Sequence, residues 1–330
     1  MKKVKIAQIG LGHDHASAIF GSLRKLTDYF DYVGYAVPPE EQGRFTVNAG
    51  NIPERTVEDI LADPTITAVA IETEEVNLTN YAQMAADAGK HIHMDKPGGL
   101  SLPDFEKLVR TVKEKHLVFH LGYMYRYNPA ILELLDRVRA GELGEIYSVE
   151  AHMDCRHTPE KRQWLETFPG GMMFFLGCHL VDLLLLFRGQ PERIVPFHRS
   201  TGLDGVTAED YGMVVFEYPN GVSFAKTCAE EMGGFERRQL VVCGSKGTVE
   251  LRPLEMFGHF DGQYTGVRVS TSADWFDAGY RTATRPLDRY DPMMEGFYRM
   301  VIGEKENPFT PDYELEVYKT VLKSCGVNIE

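Results

Sequence analysis

The stretch Val4-Lys5-Ile6-Ala7-Gln8-Ile9-Gly10-Leu11-Gly12-His13-Asp14-His15 decides the fold. It begins as a short apolar strand and is broken by two glycines. Apolar residues at Ala16, Ile19, Phe20, Leu23 and Leu26 then recur at helical spacing. Strand, Gly-x-Gly turn and helix is the order that a dinucleotide-binding βα unit requires. Gly10 allows the tight turn and Gly12 lets the backbone approach a pyrophosphate. The helix N-terminus offers amides and partial positive charge to that anion. Cofactor contacts are therefore expected from Gly10, Leu11, Gly12, His13 and Asp14. His15 stands where the fingerprint has its third small residue, so the units that follow must carry the reading.

They alternate. Strands are expected at residues 32–37, 67–73, 91–96 and 117–123, and helices at 56–61, 78–88 and 102–114. Short apolar strands between helices make βαβ units and a parallel sheet. The fourth strand ends in His93-Met94-Asp95-Lys96-Pro97-Gly98-Gly99. A lysine at the C-terminal end of a strand is where an open α/β sheet puts its chemistry. Pro97 fixes the backbone after it and biases Lys96 towards an extended conformation. The alternative is a surface lysine before an ordinary turn. The second strand ends in Val37-Pro38-Pro39-Glu40-Glu41, with no acid at its tip to hold a ribose. Glu40 is left to reach that group, and Arg44 is the nearby cation. NAD is expected, with NADP as the alternative. His13 and His15 lie where phosphate should sit, and His91 and His93 lack a third ligand nearby in sequence. No metal is expected.

The 330 residues are 43% hydrophobic and 25% charged, and the formal charge is 35 − 48 = −13. An acidic chain with no basic run is a poor partner for nucleic acid or an anionic membrane. No apolar run is long enough to span a bilayer or to serve as a signal peptide. The five cysteines are odd in number and form no C-x-x-C pair, which suits free thiols in a reducing, cytoplasmic compartment.

The second half changes character. A helix is expected at 128–140, a strand at 145–154 and an apolar helix at 172–187. That helix carries Phe175, His179 and Asp182 on one stripe. Arg156 and Trp164 sit in a polar loop that suits a polyol or simply anchors the surface. Strands at 193–200, 211–218, 222–228, 239–243, 248–251 and 267–270 alternate with hairpin turns at Pro219-Asn220-Gly221 and Gly244-Ser245-Lys246-Gly247. They predict an antiparallel sheet. Two helices, at 292–302 and 313–325, close the chain. The division expected is 1–123 for a dinucleotide-binding domain and 124–330 for a substrate-binding and oligomerisation domain.

Three features together resemble the Gfo/Idh/MocA oxidoreductases. They are the strand–Gly10-x-Gly12–helix, then Gly89-Lys90-His91-Ile92-His93-Met94-Asp95-Lys96-Pro97, then Gly170-Gly171 followed by Gly177-Cys178-His179 and Asp182. The tract Gly122-Tyr123-Met124-Tyr125-Arg126-Tyr127-Asn128-Pro129 is similar to the family's junction. The resemblance implies an α/β protein with a Rossmann domain, then an α/β domain built on a large, mainly antiparallel sheet. It implies a homodimer or homotetramer formed through that sheet, and a small-molecule sugar, sugar derivative or polyol as substrate. It extends the cofactor contacts to Thr73, Glu74, Asn77, Asp95 and Lys96. It makes Lys96 and His179 catalytic and lines the substrate site with Lys96, Tyr123, Arg156, Trp164, Phe175 and His179. Phe175 stands where the family has its catalytic aspartate, which leaves His179 as acid/base and Lys96 as the donor to the substrate oxygen. Thr73-Glu74 replaces a Thr-Pro, and Leu78, beside Asn77, replaces a loop histidine. The function implied is NAD(P)-dependent hydride transfer at a carbinol carbon. The alternatives are a cofactor-binding sensor or regulator without that activity, and a transient-oxidation epimerase or lyase.

Overall fold

The computed structural model describes residues 2–258 and 262–329. In the first part, β1 (Val4–Ile9), β2 (Phe30–Ala36), β3 (Ala68–Ile71), β4 (His91–Met94) and β5 (Phe119–Leu121) pair in the order β2-β1-β3-β4-β5. Every pairing is parallel. The strands are short and apolar because both sheet faces are covered; all of β3 is solvent-free. The cover comes from α1 (Ala16–Lys25), α2 (Val57–Ala62), α3 (Leu78–Asp87) and α4 (Leu102–Glu114). Thr56 and Ser101 cap α2 and α4 by accepting the amides of Asp59 and Asp104, so each helix starts where the sequence supplies an acceptor. The strand order reverses between β1 and β3, where an open parallel sheet binds its ligand. There Ile9 lies opposite Ile71. Gly10 leaves β1 with φ +96°, and a Cβ on it would stand 2.4 Å from the Thr73 amide nitrogen. Only glycine serves at that point.

The second part contains α5 (Pro129–Arg139), β6 (Ile146–His152), α6 (Pro159–Trp164) and α7 (Cys178–Arg188). Strands β7 (Arg193–Arg199), β8 (Tyr211–Tyr218), β9 (Gly221–Cys228), β10 (Gln239–Gly244) and β11 (Gly247–Leu251) follow. A small ribbon of β12 (Met256–Gly258) and β13 (Gly262–Tyr264) precedes β14 (Gly266–Ser270) and β15 (Tyr280–Ala283). Eight strands form one sheet, ordered β15-β14-β11-β10-β6-β9-β8-β7. Only the β6–β9 pairing is parallel. The two expected hairpin turns close Tyr218 onto Gly221 and Gly244 onto Gly247. Alternate residues, such as Val149, Val214, Ala225, Leu240 and Val242, point to one buried face, and α7 packs there against β6 and β9.

Helix α7 is buried on nearly its whole circumference, so a charge within it needs a partner. Asp182 has one. It accepts from Arg126 Nε at 3.0 Å and Nη2 at 2.6 Å, and both side chains are buried. Asp182 therefore anchors α7 to the chain at Arg126. The expected single helix over 172–187 is a π-turn (Met173–Gly177) running into α7. The wider turn carries Phe175, and α7, which carries His179, begins where it ends.

Cα packing groups Met1–Met124 with Tyr290–Tyr318, and Tyr125–Arg289 with Lys319–Glu330. The late segment contains α8 (Asp291–Val301) and the start of α9 (Pro311–Ser324). It returns to the parallel sheet although sequence order puts it in the second half. Phe297 stacks on His120, Tyr298 OH donates to the Lys2 carbonyl, Ser22 Oγ donates to Asp291, and Tyr318 OH donates to the Gly99 carbonyl. Among the described residues no helix is long and apolar enough to cross a membrane.

Asp182→Ala strands the Arg126 guanidinium in the interior. Removing one partner of a buried pair is expected to lower stability by about 3–5 kcal/mol. Urea denaturation followed by circular dichroism measures it, and a loss below 1 kcal/mol (the ~0–1 kcal/mol of a surface pair) contradicts the anchoring role.

Candidate functional site

At the carboxyl edge of the parallel sheet, the Gly10-Leu11-Gly12 turn already holds an anion. Glu41 lies in a short 3₁₀ turn after β2 and is completely buried. Its Oε2 accepts the Leu11 amide at 2.7 Å and its Oε1 accepts the Glu74 amide at 2.8 Å. Burial raises its pKa, and the amides of Leu11, Glu74 and Gly12 partly offset that. A Cβ at Gly12 would stand 2.5 Å from Glu41 Oε1 and 2.6 Å from Glu74 Cγ, so this glycine admits the chain's own acids. The Glu74 carboxylate is gripped by Arg44 through bonds of 2.7 and 2.8 Å. The His13 amide is bonded to the Glu72 carbonyl. Glu40, expected to reach a ribose, instead accepts from Tyr81 OH at 3.2 Å. Asp14 is exposed, Thr73 is buried under Gly10, and the Asn77 amide donates to the Glu74 carbonyl at the start of α3.

The donor chemistry of the turn fits the negative charge of a dinucleotide, since the same amides bind a carboxylate here. Leu11, Gly12 and Glu74 would hold that group once Glu41 withdraws.

Beside the turn lies a buried polar cluster. Asp95 accepts the Lys96 amide at 2.7 Å, which fixes the backbone at the end of β4. Lys96 is almost fully buried, and the Lys96–Pro97 peptide is cis. His15 Nδ1 is 3.1 Å from Asp95 Oδ2, and His13 Nδ1 is 3.2 Å from the same oxygen. Burial alone would lift the Asp95 carboxyl, but His13 and His15 hold it well below the usual range. For His13, burial is opposed by Asp95 and Glu75, and the net direction is upward. For His15, burial prevails and the pKa falls to about 4. Below this cluster His93 Nδ1 and His120 Nδ1 share a hydrogen bond of 2.8 Å, and Glu72 Oε1 is 3.5 Å from His93 Nε2. Burial, reinforced by Asp95, drives the Glu72 pKa well above normal. Tyr123 is buried just beyond β5.

The second unit carries the remaining expected residues in two groups. His179, at the start of α7, is buried, and its ring meets Tyr125 edge-on at 5.3 Å. Tyr125 OH hydrogen-bonds Glu255, which Arg238 Nη1 (2.5 Å) and Arg289 Nε (3.0 Å) clamp. Burial raises the Glu255 pKa, but Arg289 and Arg238 bring it below normal. Phe175 lies against Trp164 (5.3 Å, edge-on) and Phe168 (6.2 Å, stacked). Lys161 Nζ sits 3.6 Å from the Trp164 ring centre, so the chain's own ammonium uses that aromatic face. Arg156 is exposed, with Nε 3.2 Å from Glu230. Glu230 also faces the buried Arg162, which pairs with Asp210 at 3.1 Å and with Asp204.

Sequence reasoning missed Glu41, Tyr125 and Glu255. Glu41 carries no local signal because its partners are amides 30 and 33 positions away. Tyr125 lay within a quoted motif, but its partner Glu255 is 130 positions on.

A parallel sheet with a glycine turn at its reversal point defines a dinucleotide-binding Rossmann protein. The model of the oxidoreductase family's NAD-binding Rossmann fold matches residues 4–123, and that of the GFO/IDH/MocA C-terminal domain matches 131–250. The chain belongs to the Gfo/Idh/MocA family, an NAD-binding oxidoreductase family. It is 29% identical over 148 residues to the uncharacterized oxidoreductase YhhX of Escherichia coli, covering 44% of this chain and 41% of that one. It is 26% identical over 200 residues to trans-1,2-dihydrobenzene-1,2-diol dehydrogenase of Bos taurus, covering 59% and 57%. With D-xylose 1-dehydrogenase (NADP(+)) 2 of Haloferax volcanii it shares 28% over 277 residues, 83% and 80% of the two chains. The chain spans about half the length of the first curated relatives it matches. A mutant 3-ketoreductase of Actinomadura kijaniata, solved with TDP-benzene and NADP, shares the fold with a TM-score of 0.75 at 17% identity, over 97% and 96% of the chains. An oxidoreductase of Thermotoga maritima does so with a TM-score of 0.75 at 16% identity, over 98% and 96%.

Glu41→Ala frees the turn's amides and removes a competing anion. Its NAD(H) affinity is expected to rise about tenfold, or ~1.4 kcal/mol, as measured by calorimetry. Weaker binding than wild type contradicts Glu41 as a competitor and assigns it to the cofactor instead.

Proposed function

We propose that the protein transfers a hydride between a nicotinamide cofactor and a carbinol carbon of a sugar, sugar derivative or polyol, with Lys96 and His179 handling the hydroxyl proton. The observation that carries this reading is Lys96 itself. It is buried at the carboxyl end of β4, its backbone is fixed by Asp95, and it belongs to a chain of an NAD-binding oxidoreductase family. The names of two relatives, a xylose dehydrogenase and a dihydrodiol dehydrogenase, both denote oxidation of hydroxyl-bearing carbons. NAD or NADP, when bound, supplies or accepts the hydride. The Lys96 ammonium donates to the substrate oxygen and holds it in the carbonyl state. His179 takes or returns the proton. Tyr125 is held by Glu255 and sets the plane of the His179 ring. In this reading Phe175 supplies an apolar wall with Trp164 rather than a third proton-handling group. The outer face of the eight-stranded sheet, with half-exposed Tyr147, Phe197 and Val222, is the proposed surface for a homodimer or homotetramer.

A second reading, a cofactor-responsive protein without dehydrogenase activity, is favoured by two observations. Phe175 replaces the family's aspartate, and Glu41 fills the glycine turn. A screen of sugars and polyols against NAD and NADP, followed by reduced-nicotinamide absorbance, separates the two. Turnover with any member supports the dehydrogenase; tight nucleotide binding with none supports the second reading. With a substrate in hand, Lys96→Met and His179→Gln are each expected to lower kcat by about 10²- to 10⁴-fold while nucleotide affinity stays within about threefold. Undiminished turnover in either variant removes that residue from the mechanism.

A further inference from the structure

We propose that His13, His15 and Asp95 form a site for one divalent transition-metal ion, Zn²⁺ by donor chemistry, at the carboxyl edge of the parallel sheet. The ligand atoms of these buried residues all lie within 4.8 Å of one another. The closer edges are the stronger evidence. His13 Nδ1 and His15 Nδ1 stand 3.2 and 3.1 Å from Asp95 Oδ2. Bonds of about 2.0–2.2 Å in a tetrahedral zinc site set neighbouring ligand atoms about 3.3–3.5 Å apart. The two histidine–carboxylate edges need to open by only a few tenths of an ångström to take the ion.

The outer contacts match a metal-bound imidazole. His13 Nε2 donates to the Lys96 carbonyl at 3.2 Å, and Glu75 Oε1 lies 3.7 Å from the same nitrogen. A histidine ligand characteristically gives its second N–H to a carbonyl or carboxylate, which fixes the tautomer and leaves the other nitrogen's lone pair for the metal. Here that other nitrogen is Nδ1, the one facing Asp95. It also accepts the His15 amide at 3.1 Å, a bond the ion would displace. Two lone-pair atoms 3.2 Å apart in a solvent-free site repel unless a proton or a cation lies between them.

Charge balance points the same way. Asp95 and Glu75 are buried beside His13, at 3.2 Å from its Nδ1 and 3.7 Å from its Nε2. A divalent cation between the imidazoles would offset these buried carboxylates. Two imidazoles and a carboxylate are the borderline donor set that zinc accepts and magnesium or calcium does not favour.

The test starts with full-length protein dialysed against a chelator and then titrated with Zn²⁺ or Co²⁺. One ion per chain and the intense visible absorption of tetrahedral cobalt are expected. His15→Gln and His13→Gln should weaken binding at least 100-fold, and Glu75→Gln, in the outer layer, about 10- to 100-fold. His91→Gln, on β4 but outside the cluster, should bind as wild type. Circular dichroism confirms that each variant folds. Uptake below a tenth of an equivalent by wild type, or unchanged uptake by His15→Gln, overturns the site and leaves a histidine–carboxylate proton pair in its place. Metal uptake is read without nucleotide or substrate, so its outcome is separate from that of the hydride-transfer reading.

Discussion

The carboxylate of Glu41 on the amides of Leu11 and Glu74 is the constraint on which the first unit's ligand edge depends. It joins three loops that sequence separates: the first glycine turn, the segment after β2 and the segment after β3. Gly10 and Gly12 are small because these loops must touch. The partial positive charge of a glycine turn and helix start does not wait for a ligand; a buried carboxylate satisfies it. Any dinucleotide therefore exchanges with an internal anion rather than entering an empty cradle, and its apparent affinity is reduced by the stability of the closed arrangement.

The parallel sheet was legible because each strand is short, apolar and bounded by glycine, proline or a helix start. The antiparallel sheet was legible from its two tight turns, whose closing pairs are those expected. The site was legible only in part. Local motifs located Lys96, Asp95 and His179, because strand ends and helix starts are local features. They did not show that His13, His15 and Asp95 share one oxygen, since 80 positions separate His15 from Asp95. Nor did helical spacing foresee the π-turn at Met173–Gly177, which carries Phe175. Periodicity assumes a constant number of residues per turn, and one wide turn defeats it.

The second unit handles its buried charges in pairs and small networks. Arg126 with Asp182 ties the turn before α5 to α7, Arg162 with Asp210 ties α6 to the start of β8, and Glu255 with Arg238 and Arg289 joins loops beside the sheet. Such pairs add little net stability over apolar packing, but they penalise any arrangement that separates them. They hold α7 and Tyr125 in one register, so the His179 ring meets a fixed neighbour.

The return of residues 290–318 to the first unit has a consequence during biosynthesis. A ribosome releases β1 to β5 first, and Phe297 and Tyr318 arrive only after the strands of the antiparallel sheet. Until then His120 lacks its stacking partner and Phe105 lacks Tyr318 against its ring. The nascent nucleotide-binding half thus waits, incompletely covered, through the emergence of the whole antiparallel sheet. Such long-range closure is slow and leaves apolar surface open to chaperones in the interval.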